Sequence, residues 1–268
     1  MKSALGQLLV LVALLAPKLS VAQTLHEFEE HLKSLFALQD EQREAGLSGM
    51  DSLETVDSEI FDYLSKTLTT MPQTLTAVFH LPSGITGLSA TSSVDHKVRA
   101  WSWDTWTGGS MPQYEVLIQY QSPTGIRVEY GYDTSTEGGN SSWYDTIYSV
   151  RTDRRATIYL PVLGSKYSNS DVGQEIDAYS ITDSSLNRNL LLFQTPKQRL
   201  NSIGFGYNYF SNYGWKTTRE RHKIHLEDNG KVLIIPIVKD DTTGGRMTSK
   251  SLRYEFDGEH FVYKGISK

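Results

Sequence analysis

The class of fold follows from residues 114–132, YEVLIQYQSPTGIRVEYGY. On either side of the turn sequence Ser-Pro-Thr-Gly at 122–125, mostly apolar residues alternate with mostly polar ones. Such alternation puts the two kinds of side chain on opposite faces of a β-strand. The stretch therefore predicts a β-hairpin with one apolar face, as found in antiparallel sheets.

A second hairpin is predicted nearer the C-terminus. Asn229 and Gly230 lie between the strand-like runs 222–226 and 232–238, and both residue types tolerate the positive φ of a type I′ turn. The run 232–238 is apolar on both faces, which predicts a central strand with a bulge or a strand end at Pro236.

The remaining pattern extends this organisation over the rest of the chain. A last hairpin is predicted between 252–256 and 260–263, across Asp257-Gly258. Weaker strand patterns lie at 98–103, 147–150, 157–162, 176–181, 190–194 and 203–207. Short strands separated by turn residues, without helices between them, predict a mostly β protein built as an antiparallel β-sandwich or barrel. A small β-propeller is the alternative, because residues 99–104 are similar to the strand end of a WD repeat, although no second copy follows.

Two helices are predicted before the β region. Apolar residues recur at three- and four-residue spacing in two sets, Leu25, Phe28, Leu32, Leu35 and Phe36, then Ile60, Phe61, Leu64 and Leu68. Such one-sided helices have to pack against something. They either cover one face or end of the β body, or the first helix docks a partner. The predicted organisation is 1–22 signal peptide, 23–73 helical lead-in and 74–268 antiparallel β domain.

The N-terminus has the pattern of a secretory signal. The short positive segment Met1-Lys2 is followed by the apolar run 8–16, and Ser20-Val21-Ala22 provides small residues for cleavage before Gln23. A bilayer span needs about 20 apolar residues, and this run is shorter. We expect export, removal of residues 1–22 and no membrane span in the mature chain.

The amino-acid composition indicates the cellular compartment and argues against one class of partner. The chain has no cysteine, so it has no disulfide framework, and we expect a bacterial periplasmic or secreted location. Without Lys2 and Lys18 the chain has 24 basic and 31 acidic side chains, a net charge of −7. Nucleic-acid binders usually present a basic patch, and the basic clusters here contain acids. We therefore expect no nucleic-acid partner.

The first candidate ligand site is the segment WSWDTWTGG at 101–109. Alternation puts Trp101 and Trp103 on one face of a strand and Asp104 on the other. With Trp106, exposed indoles beside an acid would suit the apolar face of a sugar ring. In the other interpretation both strand tryptophans fill the core, since tryptophan is usually highly buried, while Asp104 holds the glycine turn.

The second candidate is the segment FGYNYFSNYGW at 205–215. Tyrosine, asparagine, serine and glycine together form adaptable contact surfaces in binding loops. The ligand contacts predicted here are Tyr207, Tyr209, Tyr213 and Trp215. Tyrosine-rich strand ends beneath a loop are the alternative interpretation.

No motif predicts a catalytic residue, a metal site or a cofactor. His222 and His225 are three apart, which on a strand puts them on opposite faces, and no G-x-S-x-G elbow is present. The carboxylates of a glycoside hydrolase meet only in the fold. An alternative function is therefore a carbohydrate-active hydrolase with an acidic cleft, using Asp104 with Asp145 or Glu129.

Residues 92–111 carry a family resemblance. Their Asp-His-Lys, Ser-Trp-Asp-Thr and Thr-Gly-Gly-Ser-Met pieces resemble a segment of exported bacterial β-rich proteins of uncharacterised function, as does the ending Tyr-Glu-Phe-Asp-Gly at 254–258. The resemblance implies bacterial origin and export, and no activity. The function expected first is therefore a non-enzymatic exported binding protein for a glycan, peptide or protein partner, with an inhibitor or immunity protein as one form of it.

Overall fold

The computed structural model describes residues 3–46, 50–79, 87–109, 111–131, 141–211, 223–240 and 244–267. The chain divides into two compact units, 1–86 and 87–268. The first is helical, and the second consists of strands and turns.

The helical unit contains the two predicted helices. They are α1 (Ser3–Glu44) and α2 (Met50–Thr70), followed by a 3-10 turn at Pro72–Leu75. The helices pack through Tyr63, whose ring centroid lies 5.8 Å from that of Phe28 and 4.4 Å from that of His31. Buried apolar residues of this unit are Phe28, Leu32, Leu35, Phe36, Leu53, Val56, Ile60, Leu64, Leu68 and Leu75. No helix in the described ranges is both long and apolar enough to pass through a bilayer.

The β unit contains sixteen strands within the described residues. They are β1 (Ser89–Ser92), β2 (Val98–Asp104), β3 (Tyr114–Ser122), β4 (Gly125–Tyr130), β5 (Ser142–Arg151), β6 (Thr157–Lys166), β7 (Asp171–Asp177), β8 (Tyr179–Ile181), β9 (Leu186–Asn187), β10 (Phe193–Gln194), β11 (Arg199–Leu200), β12 (Ser202–Asn208), β13 (His225–Glu227), β14 (Val232–Lys239), β15 (Arg246–Phe256) and β16 (Phe261–Ser267).

These strands form three sheets. The first has the order β1-β2-β3-β4, the second β12-β7-β6-β8-β9 with β5 also on β6, and the third β11-β10-β16-β15-β14-β13. Named strands pair antiparallel except β10 with β16. The prediction of a mostly β, antiparallel fold with two N-terminal helices is therefore confirmed. Propellers repeat four-stranded blades, whereas the described sheets have four, six and six strands.

The second sheet is the middle layer of the β unit, because its strand β6 is buried on both faces. Ile158, Leu160 and Val162 belong to the apolar core shared with the third sheet. Tyr159 belongs to the core shared with the first sheet. Adjacent strand residues point to opposite faces, so one strand contributes to both cores.

The three predicted hairpins are present. β3 and β4 pair up to Ser122 opposite Gly125, and β15 and β16 pair up to Phe256 opposite Phe261. Between β13 and β14, Asn229 has the positive φ expected of the turn, at 53°. The pairing of β14 shifts register just after Pro236, where the sequence predicted a bulge or a strand end.

The burial of β6 predicts a large effect of truncating Leu160, which is 0% exposed. Leu160→Ala removes apolar contacts and leaves a cavity, so we expect the free energy of unfolding to fall by about 2–5 kcal/mol. Leu191→Ala, at a leucine that is 54% exposed, is the matched control. Its effect should stay within about 0.5 kcal/mol in urea unfolding followed by circular dichroism. Similar losses in the two variants would contradict the three-layer core.

Candidate binding site

Trp101 and Trp103 are inside the protein. Both side chains are 0% exposed, and every residue of β2 is buried. The guanidinium of Arg99 lies 5.7 Å from the centre of a Trp101 ring, and burial lowers the pKa of Arg99 to about 10. The structure therefore agrees with the interpretation in which these tryptophans fill the core, and it does not offer their faces to a sugar.

Asp104 and Trp106 belong to the turn that follows β2. One carboxylate oxygen of Asp104 accepts a hydrogen bond from the backbone N–H of Trp106 at 2.9 Å. Trp106 has a φ of 60° and is half-buried. The hydroxyl of Thr105 lies 2.7 Å from that of Thr107 and donates to the carbonyl of Gln113 at 3.1 Å. These contacts fix the turn, so Asp104 has a structural role here. Of the three tryptophans in this segment, Trp106 is the one that is partly exposed.

The three acids considered for a hydrolase have different partners. Asp145 accepts a hydrogen bond from the indole N–H of Trp143 at 2.7 Å. Glu129 accepts one from the hydroxyl of Tyr120 and another from the backbone N–H of Leu186, the latter at 3.3 Å. With Asp104 bound to its own turn, each of the three carboxylates serves a separate local structure.

The second candidate segment does present aromatic side chains to solvent. Tyr209 and Phe210 are 40% and 62% exposed, and their rings meet edge to face with centroids 5.6 Å apart. Tyr207, at the end of β12, is half-buried and lies 6.0 Å from the ring of Phe205. The other two predicted contacts, Tyr213 and Trp215, lie outside the described residues.

A neighbouring turn adds a third exposed aromatic side chain. Tyr167, 50% exposed, follows β6, and the turn after it is joined to Tyr209, whose backbone N–H donates to the carbonyl of Ser170 at 2.7 Å. Within this turn the hydroxyl of Ser168 donates to Asp171 at 2.7 Å. We refer to Tyr209 and Phe210 as the aromatic surface. Its backbone is cross-linked by hydrogen bonds, so the rings are held on a defined support.

An acidic pair lies on β7, on the strand face that Tyr167 covers at Gly173. Gly173, Glu175 and Asp177 are spaced two residues apart on this strand. The side chains of Glu175 and Asp177 therefore lie on the face on which Gly173 has no side chain. The Tyr167 hydroxyl lies 3.3 Å from the position that a Cβ would take at Gly173. One face of β7 therefore carries, in order, a tyrosine ring, a bare glycine and two carboxyl groups.

Asp177 ends a chain of buried hydroxyl groups. Its carboxyl oxygen lies 3.0 Å from the Tyr179 hydroxyl, which lies 2.8 Å from the Tyr144 hydroxyl, which in turn lies 2.9 Å from the carbonyl oxygen of Gly131. These three contacts need three protons, and each tyrosine supplies one. With Asp177 ionised, Tyr179 donates to Asp177 and Tyr144 donates to Gly131, which leaves no proton between the two tyrosines. A neutral Asp177 would supply that proton, and all three contacts would then be hydrogen bonds.

The surroundings of Asp177 favour this neutral form. Burial, and then the nearby charge of Glu175, raise the pKa of Asp177 to about 7. Burial also raises the pKa of Tyr144 and Tyr179, so neither hydroxyl ionises near neutrality. The guanidinium of Arg188 lies 5.6 Å from the centre of the Tyr179 ring and 3.8 Å from a carboxylate oxygen of Glu129. It is the cation of this cluster, and it opposes part of the rise in the pKa of Asp177.

Sequence reasoning missed Tyr167, Glu175 and Asp177, although each had a signal. Residues 166–171 have the same tyrosine, serine and asparagine content that singled out 205–215. The sequence Glu-Ile-Asp at 175–177 places two acids on one face of any strand. What the sequence did not contain was the pairing of β7 with β12, which brings these residues together.

No family model, curated protein or solved structure matches this chain. Within the part of the chain that the structure describes, no group of three or more His, Asp or Glu side chains is placed to hold a metal ion.

The hydroxyl chain predicts how stability depends on pH. Because the folded-state pKa of Asp177 is raised from 3.8 to about 7, the folded protein binds more protons than the unfolded one between these values. The contribution of this group to stability is therefore full below about pH 4 and is lost as the pH rises to about 7. Asp177→Asn keeps a neutral donor, so we expect its thermal midpoint, relative to wild type, to be higher at about pH 8 than at about pH 5.

Asp257→Asn is the control for this experiment. Backbone hydrogen bonds from His260 and Glu259 lower the pKa of Asp257, so its carboxylate is ionised throughout the range tested. The midpoint difference between this variant and wild type should change less between the two pH values than that of Asp177→Asn, because only the attraction between Asp257 and a protonated His260 depends on pH. Parallel behaviour of Asp177→Asn and wild type would contradict a protonated Asp177.

Proposed function

We propose that this chain is an exported, non-enzymatic binding protein that holds its partner on the aromatic surface. The observation that supports the proposal is the exposure of the paired rings of Tyr209 and Phe210 on hydrogen-bonded backbone. Monomeric proteins rarely leave grouped aromatic side chains in water without a use. Aromatic residues are also those that contribute most when an interface is formed.

The composition around the rings supports the same assignment. Serine and asparagine residues border the aromatic surface. The side-chain oxygen of Asn208 accepts a hydrogen bond from the backbone N–H of Ser211 at 3.0 Å. Tyrosines on a backbone of this composition bind glycans, peptides or proteins at low entropic cost. The signal-like N-terminus supports a periplasmic or extracellular location for this partner.

A double variant tests this proposal. Tyr209→Ala combined with Phe210→Ala removes two exposed rings, and we expect binding to fall at least about tenfold, since a central aromatic anchor contributes about 2 kcal/mol. The probes are an immobilised heptapeptide library and an array of bacterial cell-wall oligosaccharides. Binding is read by fluorescence of the labelled protein.

Tyr130→Ala is the matched control for the double variant. Tyr130 is 43% exposed, close to the 40% of Tyr209, but lies on β4 in another sheet. It should bind as wild type does. Absence of binding on both arrays, or equal binding by the double variant and wild type, would overturn the proposal.

A carbohydrate-active hydrolase is the second candidate, because one specific observation favours it. Asp177 is a carboxyl group with a pKa near 7 beside a second carboxyl group, Glu175. Glycosidases use two neighbouring carboxyl groups, of which the general acid has a raised pKa. This function predicts hydrolysis of chromogenic glycosides that is lost in both Glu175→Gln and Asp177→Asn. Equal rates in wild type and both variants would rule it out.

A further inference from the structure

The side chain of Arg188 connects the second sheet to the first. Its guanidinium lies 3.8 Å from a carboxylate oxygen of Glu129 and donates to the backbone carbonyl of Tyr130. These two residues are the last of β4 in the first sheet, whereas Arg188 directly follows β9 in the second. One cationic side chain therefore links β4 to the hairpin of β8 and β9.

The same side chain also lies near Asp177. Ser180 pairs with Asn187, so Tyr179 and Arg188 occupy the next positions of this antiparallel pair. The guanidinium lies 5.6 Å from the centre of the Tyr179 ring, and the hydroxyl of this ring lies 3.0 Å from a carboxyl oxygen of Asp177. Tyr179 is thus a neighbour of both the cation and the carboxyl group.

Asn201 holds the backbone of Arg188 close to Asp177. Its side-chain amide donates to the carbonyl of Arg188 at 3.4 Å, and its own carbonyl accepts a hydrogen bond from the N–H of Ala178 at 3.1 Å. Ala178 directly follows Asp177 in the chain. Because the backbone is held in this way, a change of side-chain rotamer is enough to alter which carboxyl group the guanidinium faces.

The contact between Arg188 and Glu129 is a loose one. Strong guanidinium–carboxylate pairs have N···O distances of about 2.7–2.9 Å, whereas the distance here is 3.8 Å. The two side chains are 26% and 32% exposed, so water reaches both of them. Glu129 also accepts hydrogen bonds from the Tyr120 hydroxyl and the Leu186 N–H. It can therefore lose Arg188 and still keep two hydrogen-bond donors.

The groups that act on Asp177 come from the strands around it. Glu175 on β7 adds a negative charge and a side-chain hydrogen bond, Tyr179 on β8 contributes a hydroxyl group, and Arg188 is the cation. From β12 the opposite residue is Ser202, which carries no charge. Burial, and then the charge of Glu175, raise the pKa of Asp177 to about 7, so its charge changes near neutral pH.

The charge of Asp177 determines which anions attract Arg188 most strongly. While Asp177 keeps its proton, Glu129 competes with Glu175 alone for the guanidinium. Once the proton is lost, Glu175 and Asp177 form two adjacent carboxylates. The attraction between charges increases where water is excluded, and Asp177 is shielded from water by its surroundings. The acidic pair then attracts the guanidinium more strongly than the partly exposed Glu129 does.

We propose that Arg188 is a pH-dependent link between the first and second sheets: with a proton on Asp177 its guanidinium holds Glu129 and the Tyr130 carbonyl, and without that proton it turns to Asp177 and Glu175. At the higher pH, β4 loses its cationic contact with the hairpin of β8 and β9, and this edge of the first sheet is held less firmly. The link does not involve the aromatic surface, so the inference goes beyond the proposed binding function.

A double-mutant cycle tests this link. Arg188→Gln and Glu129→Gln, alone and together, give the factor by which the pair changes the folding equilibrium constant in urea unfolding. We expect a factor of about two- to fivefold at about pH 5, and a factor near one at about pH 9. In an Asp177→Asn background the factor should stay at its lower-pH value throughout, because no new charge forms to attract Arg188.

Arg253 and Glu255 provide the matched control pair. Their side chains are 37% and 45% exposed, and their N···O distance is 3.2 Å. Both lie on β15 in the third sheet, whereas Asp177 lies in the second. The cycle of Arg253→Gln and Glu255→Gln should therefore give the same factor at both pH values.

The wild-type chain provides a second readout that needs no variant. Nuclear Overhauser effects should connect the Arg188 side chain to that of Glu129 at the lower pH, and to that of Asp177 or Glu175 at the higher pH. If Arg188→Gln does not fold, these contacts decide the question by themselves.

Three results of the cycle would overturn the inference. They are a factor near one at the lower pH, a factor that is the same at both pH values in the wild-type background, and a pH dependence that persists in Asp177→Asn. The last result would assign the pH dependence to another group. Overhauser contacts of Arg188 that do not change with pH would overturn the inference as well.

Discussion

The whole β unit depends on one strand that is buried on both faces. In β6, Ile158, Leu160 and Val162 pack against the third sheet while Tyr159 packs against the first. The chain contains no cysteine, so no covalent link holds the three layers. Their association depends on apolar burial, which is the main favourable contribution to folding. A strand that serves two cores at once makes both layers dependent on one piece of backbone.

Polar contacts inside these layers fix how the sheets are positioned. The hydroxyl of Tyr159 donates to Asp95 at 2.9 Å, and the hydroxyl of Thr91 donates to the carbonyl of Tyr144 at 3.2 Å. Both bonds join the first sheet to the middle sheet. A buried polar group that loses its partner is costly, so these contacts penalise any other alignment of the layers. The hydroxyl chain from Asp177 to Gly131 is a further buried connection, and it includes a carboxyl group whose pKa burial raises to about 7.

The candidate binding residues lie where the middle sheet extends beyond its covered region. At β6 the sheet is enclosed by apolar neighbours, whereas at β12 Gly204 and Gly206 are exposed. Glycine leaves backbone groups accessible and leaves neighbouring carboxyl groups uncovered. The same sheet therefore supplies a rigid interior for stability and, two strands away, a strand that ends at the exposed rings of Tyr209 and Phe210. Rigid support of this kind limits the entropy lost when a partner binds.

Local patterns in the sequence were sufficient for much of this architecture. Alternation and turn residues predicted the hairpins at 114–132 and 252–263, because the groups that form them are neighbours along the chain. The same reasoning marked 205–215 as a contact segment, and Tyr209 is indeed exposed. It left open whether Trp101 and Trp103 fill the core or face a ligand. Alternation assigns each residue to one face of its strand, but it does not say what covers that face.

Only the tertiary structure decided which strands became neighbours. The sequence ranked 157–162 among the weaker strands, yet β6 is the centre of the β unit, because burial on both faces comes from layers that are distant in sequence. At least 27 positions of sequence separate the acidic pair on β7 from the glycines of β12, since Asp177 and Gly204 are the nearest members of the two groups. Their proximity follows from antiparallel pairing over that separation, which no local pattern records. Sequence alone thus determined the class of fold and the individual hairpins, while the long-range pairing of strands determined the core, the buried hydroxyl chain and the position of the acidic pair.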